Sequence, residues 1–391
     1  MSRLQELINE LCPNGVEYKT IGDISKTLKK ETLKTNELIE GGKYPVINSG
    51  REIYGFYNNY NNDGDAVTIA ARGEYAGVIN YFSDKFWAGG LCYPYTSINE
   101  NILNTKFLYY YLKSKEKNIM ETLVTRGSIP ALNKNDLDKY KIAVPPLEVQ
   151  REIVHILDDF TLLSAELSAE LKARKNQYNY YLEKLLCNDK NAKTYKLKEL
   201  CVFFNGDRGK NYPKVSEMVN KGVPFVNAGD VNRVIDYKNC NKITLEKYNS
   251  MNGAKLRKND ILYCLRGSTG KNGIYELDEG TVASSLVAIR VNSIINYKYL
   301  YYLLNSSLER RQRYKSDTGA AQPNLSVQSI SNYEFPVPNM EEQNKIVNIL
   351  DKFEKLCNDI SEGLPAEIEA RQKQYEYYRD KLLNFKELKI C

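Results

Sequence analysis

The chain carries one long sequence motif twice, once in each half. Residues 144–186 read VPPLEVQREIVHILDDFTLLSAELSAELKARKNQYNYYLEKLL, and residues 337–383 read VPNMEEQNKIVNILDKFEKLCNDISEGLPAEIEARQKQYEYYRDKLL. Gln150 matches Gln343, and the tripeptide Ile-Leu-Asp that ends at Asp158 matches the one that ends at Asp351. An internal repeat decides the architecture before any local pattern does. Because each copy with its preceding segment takes about half of the 391 residues, we predict a pseudo-two-fold molecule and not a solenoid of short units.

The composition narrows the class of protein. A chain of 391 residues is too long for a single core, so two or more domains are expected. The net charge of +6 suits nucleic-acid binding, but many soluble proteins are as basic. One His and no Cys-x-x-Cys pair argue against zinc fingers and metal sites, and no cofactor is expected. Scattered cysteines, no signal peptide and no apolar run of ~20 residues predict a cytoplasmic protein that does not enter membranes.

Apolar patterns divide the chain into four parts. Short β-branched and aromatic runs between Gly, Asn and Asp clusters predict strands and loops in residues 1–145 and again in 191–338. A period of three to four residues predicts long helices over 146–190 and 339–391. The clearest shorter elements are strands at 44–48, 66–71, 78–82, 223–226 and 261–265 and helices at 2–11, 105–121 and 298–306.

The two long helices differ in length. In the first, the tetrapeptide Ser-Ala-Glu-Leu at 164–167 and again at 168–171 adds a four-residue step, which relaxes a left-handed supercoil. In the second, the motif is four residues longer, since 374 − 343 = 31 whereas 177 − 150 = 27. Gly363 and Pro365 are expected to break this second helix.

The segments between the helices match only thinly. Arg72-Gly73 aligns with Arg266-Gly267, each after an apolar strand, and Pro130-Ala-Leu aligns with Pro323-Asn-Leu. The helices are thus duplicated closely while the domains have diverged, most of all in their loops. Two copies of one fold with different loops are suited to bind two versions of one kind of target.

These residues resemble a known family, the specificity subunit of type I DNA restriction–modification enzymes. The opening LQELINELCPNGVEYKTIGDI is similar to the amino-terminal segment of that family. The runs Pro-Pro-Leu-Glu-x-Gln-x-x-Ile-Val-x-Ile-Leu-Asp and Ala-Glu-Leu-x-Ala-Arg-x-x-Gln-Tyr-x-Tyr-Tyr are similar to its helical spacers, and both occur twice in the expected order. The resemblance covers essentially the whole chain and is weakest in the two domains, where the family itself varies.

The resemblance implies an α/β (α+β) fold with two tandem target-recognition domains, separated by two long antiparallel coiled-coil helices. It implies double-stranded DNA as ligand and two modification (adenine-N6 methyltransferase) subunits as partners. Two restriction (helicase-nuclease) subunits join them in the full complex. It also implies that the specificity subunit carries out no chemistry itself.

Catalytic motifs are indeed missing from the sequence. Gly267-Ser-Thr-Gly-Lys271 is too short for a phosphate-binding loop and is interpreted as a turn. Pro145-Pro146 introduces a helix and is not part of a methyltransferase loop. His155 has no matching His in the second copy, so a structural or solvated role is expected. The pair Asp158-Asp159 is assigned to a solvated helix face.

DNA recognition requires donors that reach base edges and cations that contact phosphates. Arg72 and Arg266 are the best candidates, because each follows a strand and precedes a Gly that permits close approach of a backbone. The alternative is that each Arg makes a structural salt bridge. The other candidate DNA-binding residues are Arg126, Arg208, Arg233, Asn48, Asn227 and Gln322.

The end of the repeated motif supplies candidates for binding partner subunits. They are Arg174, Gln177 and Tyr178 in the first copy and Arg371, Gln374 and Tyr375 in the second. The alternative is packing and hydrogen bonding within the helix pair.

The length of the long helices also predicts the spacing of the two parts of the DNA target. Roughly 36 helical residues span about 54 Å, or about 16 base pairs at most, so a bipartite target with an unread gap near one helical turn is expected. We attribute the gap length to the Ser-Ala-Glu-Leu tandem. A different class remains open, a coiled-coil interaction protein whose two α/β domains bind proteins or glycans.

Overall fold

The computed structural model of the chain describes residues 3–187, 192–316, 325–358 and 363–388. Contacts between residues divide the chain into two compact units. Unit 1 comprises Met1–Ser168 and Glu367–Cys391, and unit 2 comprises Ala169–Ala366. Each unit therefore combines one diverged domain with the first part of the long helix that follows it and the last part of the other long helix.

Unit 1 begins with a short helix and then alternates strands with short helices. Its elements are α1 (Arg3–Leu11), β1 (Glu17–Thr20), α2 (Ile21–Ile24), β2 (Ser25–Thr27), β3 (Tyr44–Ile47), β4 (Gly55–Tyr57), β5 (Ala66–Ala70), β6 (Ile79–Phe82), β7 (Trp87–Ala88), β8 (Cys92–Ser97), α3 (Thr105–Ser114), α4 (Glu116–Thr122), β9 (Val124–Thr125), β10 (Ala131–Leu132), α5 (Lys134–Asp138), β11 (Lys141–Val144) and the start of α6 (Leu147–Cys187). The predicted helix over 105–121 is present as two helices, because the chain leaves helical geometry at Lys115.

Unit 2 repeats this order after α6. Its elements are β12 (Lys193–Lys196), α7 (Leu197–Leu200), β13 (Cys201–Asn205), β14 (Met218–Val226), β15 (Val231–Asn232), β16 (Val234–Ile235), β17 (Asn241–Ile243), α8 (Leu245–Ser250), β18 (Ile261–Cys264), β19 (Asn272–Ile274), β20 (Thr281–Val282), β21 (Leu286–Val291), α9 (Tyr297–Leu304), α10 (Ser307–Ser316), α11 (Val327–Ser331), β22 (Glu334–Val337), α12 (Met340–Asn358) and the start of α13 (Leu364–Leu382). The separation of α12 from α13 agrees with the break predicted at Gly363 and Pro365.

The two units share the topology of their sheets. Unit 1 has an antiparallel four-stranded sheet in the order β2-β8-β5-β6, and unit 2 has the corresponding order β13-β21-β18-β19. Each unit also has a three-stranded sheet, in the order β4-β3-β7 in unit 1 and in the corresponding order β17-β14-β20 in unit 2. The pairs β1-β11 and β12-β22 complete the match. The central strands β5 and β18 are buried along their whole length, which explains their largely apolar sequences.

The repeated glutamines join each long helix to its domain. The Gln150 side chain accepts a hydrogen bond from the amide of Asn104 at 2.8 Å and donates to the carbonyls of Ile102 and Pro145. Gln343 makes the same three bonds in unit 2, to the amide of Asn296 and the carbonyls of Ile294 and Pro338. Both glutamines are fully buried, so their repetition is explained by the fold.

Asp158 is not on a solvated face as the sequence suggested. Its carboxylate accepts hydrogen bonds from Lys106 Nζ at 2.8 Å and from the Tyr110 hydroxyl at 2.6 Å. In unit 2, Asp351 accepts from Lys298 and Tyr302 in the same way. The prediction was wrong for this residue because both partners come from a helix about 50 positions earlier in the sequence. Asp159, its neighbour, is exposed and lies 3.8 Å from His155.

The two copies of the motif exchange aromatic partners within each unit. In unit 1, the ring of Phe160 stacks on Tyr378 with centroids 5.6 Å apart. In unit 2, Phe353 stacks on Tyr181 at 5.4 Å. Each unit thus pairs the beginning of one copy with the end of the other.

Val16 and residues 386–388, remote in sequence, meet in unit 1. The amide of Val16 donates to the carbonyl of Lys386 at 2.9 Å, and the amide of Leu388 donates to the carbonyl of Val16 at 2.8 Å. The hydroxyl of Tyr18 adds a bond to the carbonyl of Phe385. A short parallel bridge between Val16 and Glu387 results, and the nearby Leu383 is buried in the core of unit 1.

Candidate DNA-recognition surface

Arg72 and Arg266 occupy equivalent places in the two units. Each is the second residue after a central strand, β5 or β18, and each side chain is exposed. Among the residues that the structure describes, neither guanidinium forms an ion pair or a side-chain hydrogen bond. The alternative assignment of both residues to structural salt bridges therefore finds no support, and both forks face solvent with their donors available.

The glycine after each arginine is explained by its backbone conformation and not by close packing. Gly73 has φ +92° and Gly267 has φ +77°, a region that side chains other than glycine rarely adopt. A Cβ built on either would meet no atom within 4 Å. Within the chain these glycines allow the turn that follows the strand, and close approach of another backbone to them stays a prediction.

One backbone bond holds a second segment against each strand end. The amide of Leu132 donates to the carbonyl of Ala71 at 2.9 Å, and the amide of Leu325 donates to the carbonyl of Leu265 at 3.0 Å. The donors belong to the two aligned Pro-x-Leu segments, and the acceptors directly precede the two arginines. The Arg-Gly and Pro-x-Leu matches between the two domains therefore belong to one structural feature that is present in each unit.

In unit 2 the surface beside Arg266 forms an open cleft of about 760 Å³. Arg208, which follows β13, lines the same cleft, so the structure brings together two arginines predicted separately. Asp207 lies at the cleft with one carboxylate oxygen held by the amide of Gly253 at 2.8 Å. Two cations and one acceptor give this cleft the groups needed to contact phosphates and base edges.

In unit 1 the corresponding surface has different side chains. Arg126 is exposed in the loop between β9 and β10, and this hairpin is bridged to Arg72 through Ala131. Lys30 belongs to the same region, since its Nζ donates to the carbonyl of Gly90 at 3.2 Å and lies over the ring of Tyr93. Lys30 was not among the residues predicted from the sequence, although it lies three residues after β2.

A second missed residue is Arg51, which lines an open cleft of about 540 Å³ in unit 1. Its guanidinium lies 5.9 Å from the ring centroid of Tyr75, in the loop that follows Arg72. Arg51 sits in the Gly-containing loop after β3. The criterion that selected Arg72, an arginine near glycine after a buried strand, selects Arg51 as well.

Asn48 and Asn227 are also equivalent, each following the middle strand of a three-stranded sheet. The side-chain oxygen of Asn48 accepts from the amide of Leu91 at 2.9 Å, and its NH₂ group makes no hydrogen bond to another described residue. Asn227 begins a short 3₁₀ turn, in which its amide donates to Asp230. Both residues shape loops, and their contact with DNA stays a prediction. Gln322 lies outside the described residues.

Arg233 does not line the cleft of unit 2. It forms the turn of the β15–β16 hairpin at φ +60° and is bridged to Gly273. Burial and the carboxylate of Glu354 raise the pKa of Tyr178, and the positive charge of Arg233 opposes that shift. The hairpin therefore lies near helix α6. Arg233 is not among the residues that line the cleft with Arg208 and Arg266.

The helical candidates for partner binding bond mainly within their own helix. Arg174 donates to Gln177 at 3.1 Å and pairs with Glu170, and Arg371 donates to Gln374 at 3.1 Å in the same geometry. The other two candidates are tyrosines. Tyr178 is buried in the core of unit 2, and Tyr375 packs against the core of unit 1. Packing explains the tyrosines, and partner binding by the polar residues stays a prediction.

The described part of the chain lacks two other kinds of feature. No group of three or more His, Cys, Asp or Glu side chains there is arranged to hold a metal ion. No helix within those ranges is long and apolar enough to cross a membrane.

Comparison with known proteins agrees with the duplicated architecture. The profile of the type I restriction modification DNA specificity domain matches residues 13–174 and again residues 189–370. The chain is 30% identical to the EcoR124I/EcoR124II specificity subunit of Escherichia coli over 98% of this chain and 97% of that one. It is 31% identical to a putative type I restriction enzyme specificity subunit of Haemophilus influenzae, covering 95% and 96%.

Solved structures give the same fold. A specificity subunit from M. genitalium aligns with a TM-score of 0.64 at 18% identity, covering 94% of this chain and 96% of that one. The chain therefore belongs to the family of type I restriction–modification DNA specificity proteins. This confirms the resemblance seen in the sequence and the expected α/β (α+β) class with two tandem target-recognition domains and long helices.

Proposed function

We propose that the chain is the DNA-recognition subunit of a type I restriction–modification enzyme and that it reads a bipartite, asymmetric site on double-stranded DNA. Each unit reads one half-site through the surface around its strand-end arginine. The observation that carries this proposal is the duplicated placement of Arg72 and Arg266, which are exposed and unpaired among the described residues, on one scaffold with different surroundings. One scaffold with two sets of loops suits two different half-sites.

The chemistry of the arginines supports sequence reading. A guanidinium presents two parallel donors that match O6 and N7 of guanine in the major groove, a contact worth ~1–3 kcal/mol of discrimination. Lys30 and Arg126 in unit 1 and Arg208 in unit 2 add positive charge beside these arginines. Their contacts with phosphates would fix the register of the protein on the duplex.

We infer that the long helices set the distance between the half-sites. Helix α6 has 41 residues, which corresponds to about 60 Å. The second Ser-Ala-Glu-Leu tetrapeptide adds about 6 Å to it. In this division of labour, residues 1–145 and 191–338 recognise DNA, and residues 146–190 and 339–391 act as spacers.

The complex then supplies the chemistry. The chain has no catalytic role in this proposal and directs two adenine-N6 methyltransferase subunits to the site. Two restriction subunits of the helicase-nuclease type join in the full enzyme, which acts in the cytoplasm. The chain itself needs no metal and no cofactor.

The test is selection of DNA by the chain together with the modification subunit encoded beside it. We expect one motif with two fixed half-sites and an unread gap, and the same motif methylated in the genome. Exchange of residues 20–140 for the matching domain of a relative should change one half-site only. A change of both half-sites, or the absence of any motif, would refute the proposal.

The alternative, an interaction protein that binds proteins or glycans, predicts a different salt response. A chain that neutralises several phosphates loses DNA affinity steeply as salt rises, with log K falling linearly against log salt concentration. DNA binding that is absent or insensitive to salt would favour the alternative.

A further inference from the structure

An acidic residue, Asp207, lies beside the two arginines of the cleft in unit 2. It follows β13, directly before Arg208, and only 9% of its surface is exposed. A carboxylate near a DNA backbone is repelled by the phosphates, and it also loses solvation when DNA covers it. Such a group therefore weakens binding unless the DNA gives it a hydrogen bond in return.

Two close contacts fix the backbone around Asp207. A Cβ built on Gly206 would collide with the carbonyl oxygen of Val282 in β20, so only glycine fits there. From the other side, a Cβ built on Gly253 would lie 2.7 Å from the amide nitrogen of Asp207. Asp207 also forms a parallel bridge with Ala283. The main chain thus holds this carboxylate at a fixed place in the cleft.

Only one of the two carboxylate oxygens of Asp207 is used by the described residues. Oδ2 accepts from the amide of Gly253 at 2.8 Å, and Oδ1 accepts no hydrogen bond from any described residue. Burial lowers the pKa of Lys255, and the negative charge of Asp207 opposes that shift, so the two lie near each other. The ammonium group of Lys255 is nevertheless directed to the carbonyl and the ring of Tyr248. Oδ1 is therefore available to a donor that enters the cleft.

Unit 1 has a different acid at the corresponding place. The first residues of β2 and β13 pair with the last residues of β8 and β21, and Glu31 and Asp207 follow them at the same distance, since 31 − 25 = 207 − 201 = 6. The side chain of Glu31 is 55% exposed and lies 3.8 Å from the ammonium group of Lys29. An exposed acid with a cationic partner needs no bond from DNA. The unpaired acceptor therefore belongs to the half-site of unit 2.

We propose that Asp207 reads a cytosine in the half-site of unit 2, by accepting a hydrogen bond from the N4 amino group of that base in the major groove. Cytosine presents only this donor there, whereas adenine adds the N7 acceptor, and guanine and thymine present acceptors that a carboxylate repels. Specificity then combines attraction to one base with rejection of the others. This inference rests on the proposed function, because it requires the cleft to meet the major groove.

The variant Asp207→Asn separates base reading from a purely structural role. The amide oxygen of asparagine can still accept from the amide of Gly253, so the NH₂ group takes the place of Oδ1 and the acceptor becomes a donor. Thymine presents the acceptor O4 where cytosine presents the N4 donor. We therefore expect the preferred base at one position to change from cytosine to thymine. A residue that only held Gly253 in place would leave the base preference unchanged.

The preference is measured by selection from a random DNA library, with the complex of the chain and the modification subunit encoded beside it. Exchange of residues 20–140 changes the other half-site and so identifies the one that unit 2 reads. There, thymine in place of the cytosine should weaken binding of the unsubstituted complex at least about tenfold, and Asp207→Asn should reverse this order. Asp278→Asn, the same change at an exposed acid outside the cleft, should leave the motif unchanged.

Circular dichroism and the unfolding temperature check that Asp207→Asn folds. If it does not, the unsubstituted complex is tested on DNA with N4-methylcytosine at each cytosine of this half-site in turn. That base keeps the hydrogen used in pairing but presents a methyl group in place of the donor in the major groove. A loss of at least about tenfold in affinity at one position would support the inference, and equal affinity at every position would overturn it.

The outcomes separate this inference from the proposed function. If Asp207→Asn selects cytosine at every position where the unsubstituted complex does, the assignment of Asp207 is overturned while DNA recognition stands. The same conclusion follows if the half-site of unit 2 contains no cytosine in either strand. If the unsubstituted complex selects no DNA motif, the proposed function falls and this inference falls with it.

Discussion

Gln150 on the long helix accepts a 2.8 Å hydrogen bond from the backbone amide of Asn104, the residue that caps helix α3. The same side chain donates to two backbone carbonyls. One buried amide thus satisfies three main-chain groups and fixes the helix to unit 1. Gln343 does the same in unit 2.

Replacement of this glutamine should therefore be costly. Gln150→Ala leaves a buried N–H and two carbonyls without a partner, so we expect the free energy of unfolding of unit 1 to fall by about 2–5 kcal/mol. Trp87, the single tryptophan, lies in unit 1 and reports its urea unfolding by fluorescence. Glu148→Ala, an exposed change two residues before Gln150, should shift the free energy of unfolding by less than ~0.5 kcal/mol. Equal effects of both changes would contradict this role.

The strand-end arginines should act on separate half-sites. Arg72→Ala is expected to relax one position of one half-site and to weaken binding there by about 5- to 150-fold, the equivalent of ~1–3 kcal/mol. Arg266→Ala should do the same in the other half-site only. Selection of DNA from a random library measures both effects. Arg257→Ala, which removes an exposed cation outside the cleft of unit 2, should leave the motif intact.

The length of α6 should set the unread gap. Deletion of Ser168–Leu171 shortens the helix by about 6 Å, so we expect the gap to shrink by roughly one or two base pairs. Both half-site sequences should persist, because neither strand-end surface is touched. Sequencing of methylated DNA from cells that carry the variant checks this. Altered half-sites with an unchanged gap would show that the tandem does not measure distance.

Alkaline conditions should destabilise the protein through its partly buried tyrosines. Burial raises the pKa of Tyr109 to about 12 and that of Tyr237 to about 12, whereas an unfolded chain releases these protons near pH 10. Above pH 10 the unfolded state binds fewer protons, so the free energy of unfolding falls as pH rises, by up to ~1.4 kcal/mol per pH unit for each such group. Below pH 10 this contribution is complete.

Tyr109→Phe provides the check on that slope. The ring contacts of Tyr109 with Tyr81 and Tyr110 are retained by phenylalanine, while the ionisable group is removed. Between pH 10 and 12 the stability of unit 1 should then fall less steeply, by about one proton. Urea unfolding at several pH values measures the slope, and an unchanged slope would refute the assignment.

Much of the fold was predictable from the sequence because its determinants are local. The strand predicted at 66–71 is β5, and the one predicted at 261–265 is β18, since each is a continuous buried run. The long helix predicted over 146–190 is α6, which the structure describes as Leu147–Cys187, because its period is regular and prolines precede it. The repeat could be recognised in the sequence because Gln150 and Gln343 make equivalent hydrogen bonds in the two units, so the same residue is needed in both copies.

The site was less predictable because its residues meet only through long-range pairing. Arg208 and Arg266 come together only because β13 and β18 both pair with β21. Arg233 has the same loop composition as Arg208, yet it belongs to a hairpin elsewhere in unit 2. Asp158 looked solvated for the same reason, as Lys106 and Tyr110 are remote in sequence. The amino-acid composition of a segment predicts that it is a loop, but it does not predict which residues lie beside that loop in the folded protein.

The bridge between Val16 and Glu387 has a consequence for synthesis of the protein. Unit 2 is one contiguous stretch of chain, whereas unit 1 needs residues 386–388 to join Val16. An amino-terminal domain normally folds first during translation, but here the domain that contains Val16 is completed only after unit 2 has been translated. A chain cut short before Lys386 would carry a finished unit 2 and an unfinished unit 1, so completion of unit 1 reports that translation has passed the whole of unit 2.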